Sequence, residues 1–149
     1  MQLEDILTPE RCYCDLQGVS KKRLLKTISE KIEKNVDYLD ANTIFDALMA
    51  RERLGSTGLG NGIAIPHCKI PESEEVLGSI VTLEEPIDFD SVDSKPVDLF
   101  FILIVPDKES DTHVKLLGQV AEMFSDENLC FILRNTHDGD DLYNVAITY

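Results

Sequence analysis

His67 is the residue whose setting most invites chemistry. It ends the run G-S-T-G-L-G-N-G-I-A-I-P-H-C-K from Gly55 to Lys69, in which Gly55, Gly58, Gly60 and Gly62 precede a short alternating apolar segment, Ile63 to Ile65, stopped by Pro66. An imidazole with a pKa near 6.5 is largely neutral at neutral pH, and its free nitrogen can attack phosphorus without a separate base. The phosphohistidine so formed can pass its group onward. Such a site has to supply in-line alignment, cations and N–H donors. The sequence offers the backbone N–H groups of the loop Gly55, Ser56, Thr57, Gly58, Gly60, Asn61 and Gly62, the hydroxyls of Ser56 and Thr57, the guanidinium of Arg51, and a helix start at Thr112 and His113. Judged from composition alone a histidine after a strand is an ordinary loop residue; Pro66 and the dense glycines set this one apart.

Other chemistries fit less well. A P-loop needs Lys and then Ser or Thr directly after its last glycine, yet Gly60 is followed by Asn61 and Gly62. A dinucleotide fingerprint starting at Gly58 would need its third glycine where Ile63 stands, and the loop leads into a strand, not a helix. Metal binding would draw on His67, Cys68, His113, Cys130 and His137, but adjacent residues rarely reach one ion and no helical His pair or C-x-x-C occurs. Cys12-Tyr13-Cys14 lacks the redox spacing. Acyl transfer would need Cys68 or Ser56 beside a base, and there is no nucleophile elbow. No cofactor is expected.

The elements that must position these groups belong to a chain of 149 residues, the size of one domain able to bury a single core. The formal charge of −14 argues against nucleic acid, whose binding needs a broad basic footprint, and permits steering toward a basic partner. No apolar stretch approaches the roughly 20 residues of a membrane span, and the acidic start M-Q-L-E-D-I-L has no export signal, so a cytoplasmic location is expected. Four irregularly placed cysteines would there stay reduced.

Leu3 to Leu7 reads as a helical turn before Pro9, and Cys12 to Leu16 as a short extended piece. Ser20 caps a helix over Lys21 to Asn35 with Leu24, Leu25, Ile28 and Ile32 on one face. Lys21, Lys22, Arg23 and Lys26 sit at the unfavourable end of its dipole, as a docking patch or a solvated face. Asp40 caps a second helix over Ala41 to Leu54, with Ile44, Phe45, Ala47 and Leu48 inward and Gly55 ending it. The dipole favours Arg51 and Arg53 in its last turn; Arg51 is also one helix end and one glycine loop from His67, so a chain that doubles back would bring it to the site.

Val76 to Leu83 reads as a strand and Glu84 to Pro96 as loop. Val97 to Val105, almost continuously apolar and closed by Pro106, reads as the central strand, covered on both faces. Asp111 or Thr112 opens a helix to about Phe124, with His113 in its first turn, where a neutral imidazole able to give one hydrogen bond is expected. A shorter helical piece from Ser125 or Asp126 through Leu133 and a last helix over Asp138 to Ala146 complete the chain. Buried strands alternating with helices predict an α/β sandwich.

The stretch Gly55 to Lys69 resembles the active-site signature of the fructose/mannitol-type IIA domains of the bacterial phosphoenolpyruvate:sugar phosphotransferase system (PTS EIIA). L-E-D-I-L-T-P-E-R, S-K-K-R, A-R-E-R-L-G, K-P-V-D-L-F-F-I-L-I-V-P and D-T-H-V-K-L-L extend the likeness over nearly the whole chain, to the nitrogen-related branch (IIA-Ntr, PtsN type). The resemblance implies a mixed sheet of about five strands between helices, and His67 accepting a phosphoryl group at Nε2 from the phosphohistidine of HPr or its nitrogen-branch paralogue NPr. His113 matches the family's second site histidine and Arg51 its site arginine. Cys68 departs from the small residue, often glycine or alanine, that usually follows the histidine; it could affect packing or redox sensitivity. Sugar-transporting relatives pass the group to a IIB domain. No stretch like IIB or the membrane IIC segment is visible here, which favours a regulatory output through partner binding. A sugar-transport IIA serving a separate IIB and a binding module with a vestigial His67 are the alternatives.

Overall fold

The computed structural model describes residues 2–106 and 110–149, the side chains of Ser110 and Thr112 excepted. Its elements are β1 (Cys12–Leu16), α1 (Lys21–Glu33), α2 (Ala41–Arg53), β2 (Gly58–Gly60), β3 (Ile63–Ala64), β4 (His67–Lys69), β5 (Leu77–Ile87), β6 (Val97–Val105), α3 (Ser110–Met123), α4 (Glu127–Arg134) and α5 (Gly139–Ile147), with 3-10 turns at Leu3–Asp5 and Pro9–Arg11. The helices begin where short polar side chains can take an orphan N–H: Ser20 accepts from Arg23 N, Asp40 from Thr43 N and Asp126 from Leu129 N. Each such cap is worth about 1 kcal/mol.

The strands form one mixed sheet in the order β1-β5-β6-β3-β2, with β4 also paired to β6. β6 runs along its centre, and period-two alternation sends its side chains to two cores. Leu99, Phe101, Leu103 and Val105 meet α3, α4 and α5, whereas Phe100, Ile102 and Ile104 meet α1 and α2. That double coverage explains why its sequence is continuously apolar. Helices therefore flank both faces, as the α/β reading expects.

β3 and β4 are two parts of one interrupted strand. Ile63 lies opposite Leu99 and Ala64 opposite Phe100; His67 then lies opposite Leu103 and Cys68 opposite Ile104, so the register carries through the gap. Pro66 has no N–H to donate, and Ile65 N turns instead to Thr57 O at 3.1 Å. Counted once, this strand gives the expected five; counted as its two ladders, six.

His67–Lys69 pairs as a strand although the sequence reading ends its strand at Pro66, and two further stretches differ from the sequence expectation. β5 does not end at Leu83 but runs to Ile87 through the presumed loop: pairing slips between Thr82 and Ile87, Glu84 to Pro86 face solvent, and Ile87 rejoins opposite Val97. An exposed, slipped strand carries no apolar alternation to betray it. The glycine-rich stretch is likewise no open loop. Gly58–Gly60 pairs antiparallel with Ile63–Ala64 around Asn61 and Gly62, both with positive φ (58° and 79°), the two-residue turn that an Asn-Gly pair favours.

Candidate phosphorylation site

His67 starts β4 at the end where the strand is broken. Sharing a register position with Leu103 turns its side chain toward the α3 layer, whereas Cys68 turns to the opposite core. Because β2 pairs only with β3 among the described strands, the outer edge of β4 has no ladder partner there, and α2 packs against β4. The histidine thus lies at a seam, half-buried, where the last turn of α2 and the first turn of α3 meet it from different layers.

The ring is held at both nitrogens. Nδ1 stands 2.7 Å from Ile65 O, a carbonyl that can only accept, so the ring proton is on Nδ1 and Nε2 carries a bare lone pair. Arg51 Nε–H donates to that lone pair at 3.3 Å, and Arg51 Nη1–H donates to Gly55 O at 2.9 Å. The His113 ring packs edge-on against it, centroids 5.3 Å apart and planes at 89°. His113 is buried, and its Nδ1 finds no hydrogen-bond partner among the described residues.

Charge and burial agree on protonation. Burial holds the His67 pKa below its ordinary value and Arg51 adds to the effect, while the bond to Ile65 O opposes it. His113 is lowered too, by burial first and then by His67, Lys69 and Arg51. Both imidazoles are therefore neutral near pH 7, which keeps a nucleophilic lone pair on His67. An unprotonated nitrogen can attack an electrophilic, anionic group, and the guanidinium beside it can stabilise the charge that arrives.

The structure thus brings His67, Arg51 and His113 together. The remaining candidates stand elsewhere or are committed. Ser56 Oγ–H donates to Phe89 O at 2.7 Å and accepts from Gly58 N at 3.0 Å. Thr57 donates to Glu52 from both its N–H and its hydroxyl. Asn61 N–H donates to Asp93, and its carbonyl accepts from Arg134. The Asn61–Gly62 turn opens the far end of β3, and Ile63 is already four residues from His67, about 13 Å of extended chain. Gly58 and Gly60 lie in β2, and a Cβ at Gly58 would come within 2.9 Å of Ser91 Cα, so glycine there serves close packing. Gly55 contributes its carbonyl to Arg51. The Thr112 side chain lies outside the described residues.

Cys68 is buried, its thiol pushed up to about 12 by desolvation, and so packs as a small apolar residue. Cys130 Sγ–H donates to Phe124 O, and His137 pairs with Asp15 at 2.7 Å. Among the described residues no three His, Cys, Asp or Glu side chains are placed to share a metal ion.

Sequence reasoning missed Glu52. Its side chain is 2% exposed and pairs with Lys21 Nζ at 2.7 Å. Lys21, which the sequence offers as part of a docking patch or a solvated face, instead lies over the Phe89 ring, 4.6 Å from its centroid, and next to Glu52; Lys22, Arg23 and Lys26 are exposed. The one available signal was an acid in the last turn of a helix, where the dipole disfavours it.

The family model described as phosphoenolpyruvate-dependent sugar phosphotransferase system, EIIA 2, matches residues 5–147. A nitrogen regulatory protein of Pseudomonas aeruginosa is 42% identical over 147 residues, covering 99% of this chain and 96% of that protein. The crystal structure of nitrogen regulatory protein IIA-Ntr from Neisseria meningitidis matches with a TM-score of 0.90 at 33% identity, covering 97% of this chain and 98% of that one. The mannitol enzyme IIA of Escherichia coli, in its complex with phosphorylated enzyme IIB, matches with a TM-score of 0.77 at 18% identity over 96% of this chain and 98% of that one, a likeness of fold alone. Among the described residues no helix is long and apolar enough to cross a membrane. The chain belongs to the EIIA 2 family of the phosphoenolpyruvate-dependent sugar phosphotransferase system, on its nitrogen regulatory branch.

Proposed function

We propose that this protein is a cytoplasmic phosphoryl carrier with a regulatory output, whose His67 Nε2 accepts a phosphoryl group from the phosphohistidine of an HPr- or NPr-type carrier. The observation that carries the reading is the pair of bonds on one ring: Nδ1–H given to Ile65 O, and Nε2 left bare against Arg51. In the transfer the Nε2 lone pair forms a P–N bond as the donor's P–N bond breaks, and the donor imidazole leaves with the electrons of that bond. No proton has to be taken from His67, because its ring proton is on the other nitrogen. Arg51 Nε–H occupies the position the phosphorus must take, so the guanidinium yields it and moves onto the phosphoryl oxygens, offsetting their charge of about −1.5 to −2. His113, whose ring packs edge-on against that of His67, serves as a neutral hydrogen-bonding support.

A carrier has to dock on the rim of this site. Leu54, three residues after Arg51, and Val114, next to His113, are 84% and 69% exposed, apolar surface available to a protein partner. The mannitol relative is found in complex with a phosphorylated protein. The nitrogen regulatory names of the nearer relatives favour signalling through partner binding over service to a sugar-specific IIB.

The test is incubation with phosphoenolpyruvate, enzyme I and HPr or NPr. Acid-labile phosphate should appear on the wild-type chain and be absent from His67→Ala; no incorporation, or incorporation into His67→Ala, would sink the proposal. Partner capture that ignores both His67→Ala and a charge mimic there would favour the vestigial-site alternative. Onward transfer to a IIB domain would favour the sugar-transport one.

A further inference from the structure

Glu52 carries a buried charge that the transfer step does not use. A carboxylate out of water persists only when its oxygens are partnered, and three donors converge on this one: Thr57 N at 3.3 Å, the Thr57 hydroxyl, and Lys21 Nζ at 2.7 Å. These bonds fix the short segment Gly55–Thr57 that follows α2. Two carbonyls of that segment reach the site by separate routes. Gly55 O accepts from Arg51 Nη1 at 2.9 Å, and Arg51 Nε reaches His67 Nε2. Thr57 O accepts from Ile65 N at 3.1 Å, and the carbonyl of the same Ile65 takes the Nδ1 proton of His67.

We infer that Glu52, with Thr57 as its arm and Lys21 as its counter-ion, is the positioning residue of the phosphorylation site, setting from one carboxylate both the arginine that faces Nε2 and the carbonyl that fixes the ring tautomer. The inference rests on His67 being the phosphoryl acceptor. It gives Thr57 a role other than binding phosphate through its hydroxyl. It also gives a reason for an acid at a helix end that disfavours one: the carboxylate has to stand next to Arg51 in the chain and face the segment that anchors Arg51.

The test compares Thr57→Val, which keeps the side-chain shape without the hydroxyl, Thr57→Ser, which restores it, and Glu52→Gln. Nitrogen NMR of the His67 ring in the unphosphorylated full-length chain reads the tautomer directly. Wild type and Thr57→Ser should hold the Nδ1–H form, whereas Thr57→Val and Glu52→Gln should show a mixture with the Nε2–H form. Phosphotransfer from a phosphorylated carrier should slow about tenfold or more in Thr57→Val and Glu52→Gln, and stay within about twofold in Thr57→Ser. Urea unfolding confirms that rates are compared between folded chains. If wild type accepts phosphate and the Val and Gln variants keep both tautomer and rate, the positioning role is wrong while the carrier function stands. If wild type accepts no phosphate, the carrier function is wrong, and the tautomer readout still decides the positioning role: an unchanged ring overturns it.

Discussion

Replacing Arg51 with alanine should slow phosphorylation of His67 without unfolding the chain. The guanidinium donates to Nε2 at 3.3 Å, so after transfer it lies in the first layer around the phosphoryl oxygens. A unit charge pair about 4 Å apart is worth about 4 kcal/mol at an effective dielectric near 20. His67 is only half-buried, so solvent screens part of this. A charge-assisted hydrogen bond lost at such a site costs about 2–3 kcal/mol. At about 1.4 kcal/mol per decade, the transfer rate should fall roughly 30- to 150-fold. Arg51→Lys should recover part of that loss, because it keeps the charge and forfeits the planar fork. The assay is rapid-quench transfer from a pre-phosphorylated carrier, with urea unfolding in parallel. A rate within about twofold of wild type on a folded chain would remove Arg51 from the transition state, and with it the charge compensation the mechanism relies on.

Other outcomes follow from the same geometry. His113→Gln, which keeps a hydrogen-bonding side chain, should retain more phosphotransfer than His113→Ala; equal rates would count against the supporting role. Both site histidines have pKa values held below the ordinary 6.5, chiefly by burial, so the unfolded chain binds more protons as pH falls below that value. Their contribution to stability is thus complete above pH about 6.5 and is lost as pH falls from there through the lowered folded values. The double variant His67→Gln, His113→Gln should have a flatter stability profile in that window, measured by urea titration; an unchanged slope would refute the shifts. Gly58→Ala forces a methyl against the Ser91 backbone, within 2.9 Å of its Cα, and should cost about 1–3 kcal/mol in urea unfolding; a neutral result would show that the segment around Ser91 gives way.

What was legible in the sequence follows from how local each signal is. β6 was read with its observed bounds, Val97–Val105, because burial on both faces leaves a continuous apolar run between Pro96 and Pro106. The helix starts after Ser20 and Asp40 were legible because capping is settled within three residues. Strand β5 beyond Leu83 was not, since its slipped, solvent-facing stretch carries Glu84, Glu85 and Pro86, all residues of loops. The hairpin was hidden by its own glycines, although Asn61-Gly62 is a turn signal that could have been taken. At the site, Arg51, His67 and His113 stood out as residue types able to do chemistry. Glu52 did not, because its meaning lies in a lysine from another helix and a threonine beyond the helix end, a meeting that exists only once α1 and α2 pack together. Long-range polar networks leave no period in a sequence.

The proposed function turns on the bare Nε2 of His67 taking the phosphoryl group. Phosphorus–nitrogen correlated NMR on the chain phosphorylated through enzyme I and an HPr- or NPr-type carrier tests it most directly. One phosphorus signal coupled to Nε2 of His67 is expected, with Nδ1 still protonated against Ile65 O. Coupling to Nδ1, phosphate on any other residue, or no phosphorus signal at all would contradict it.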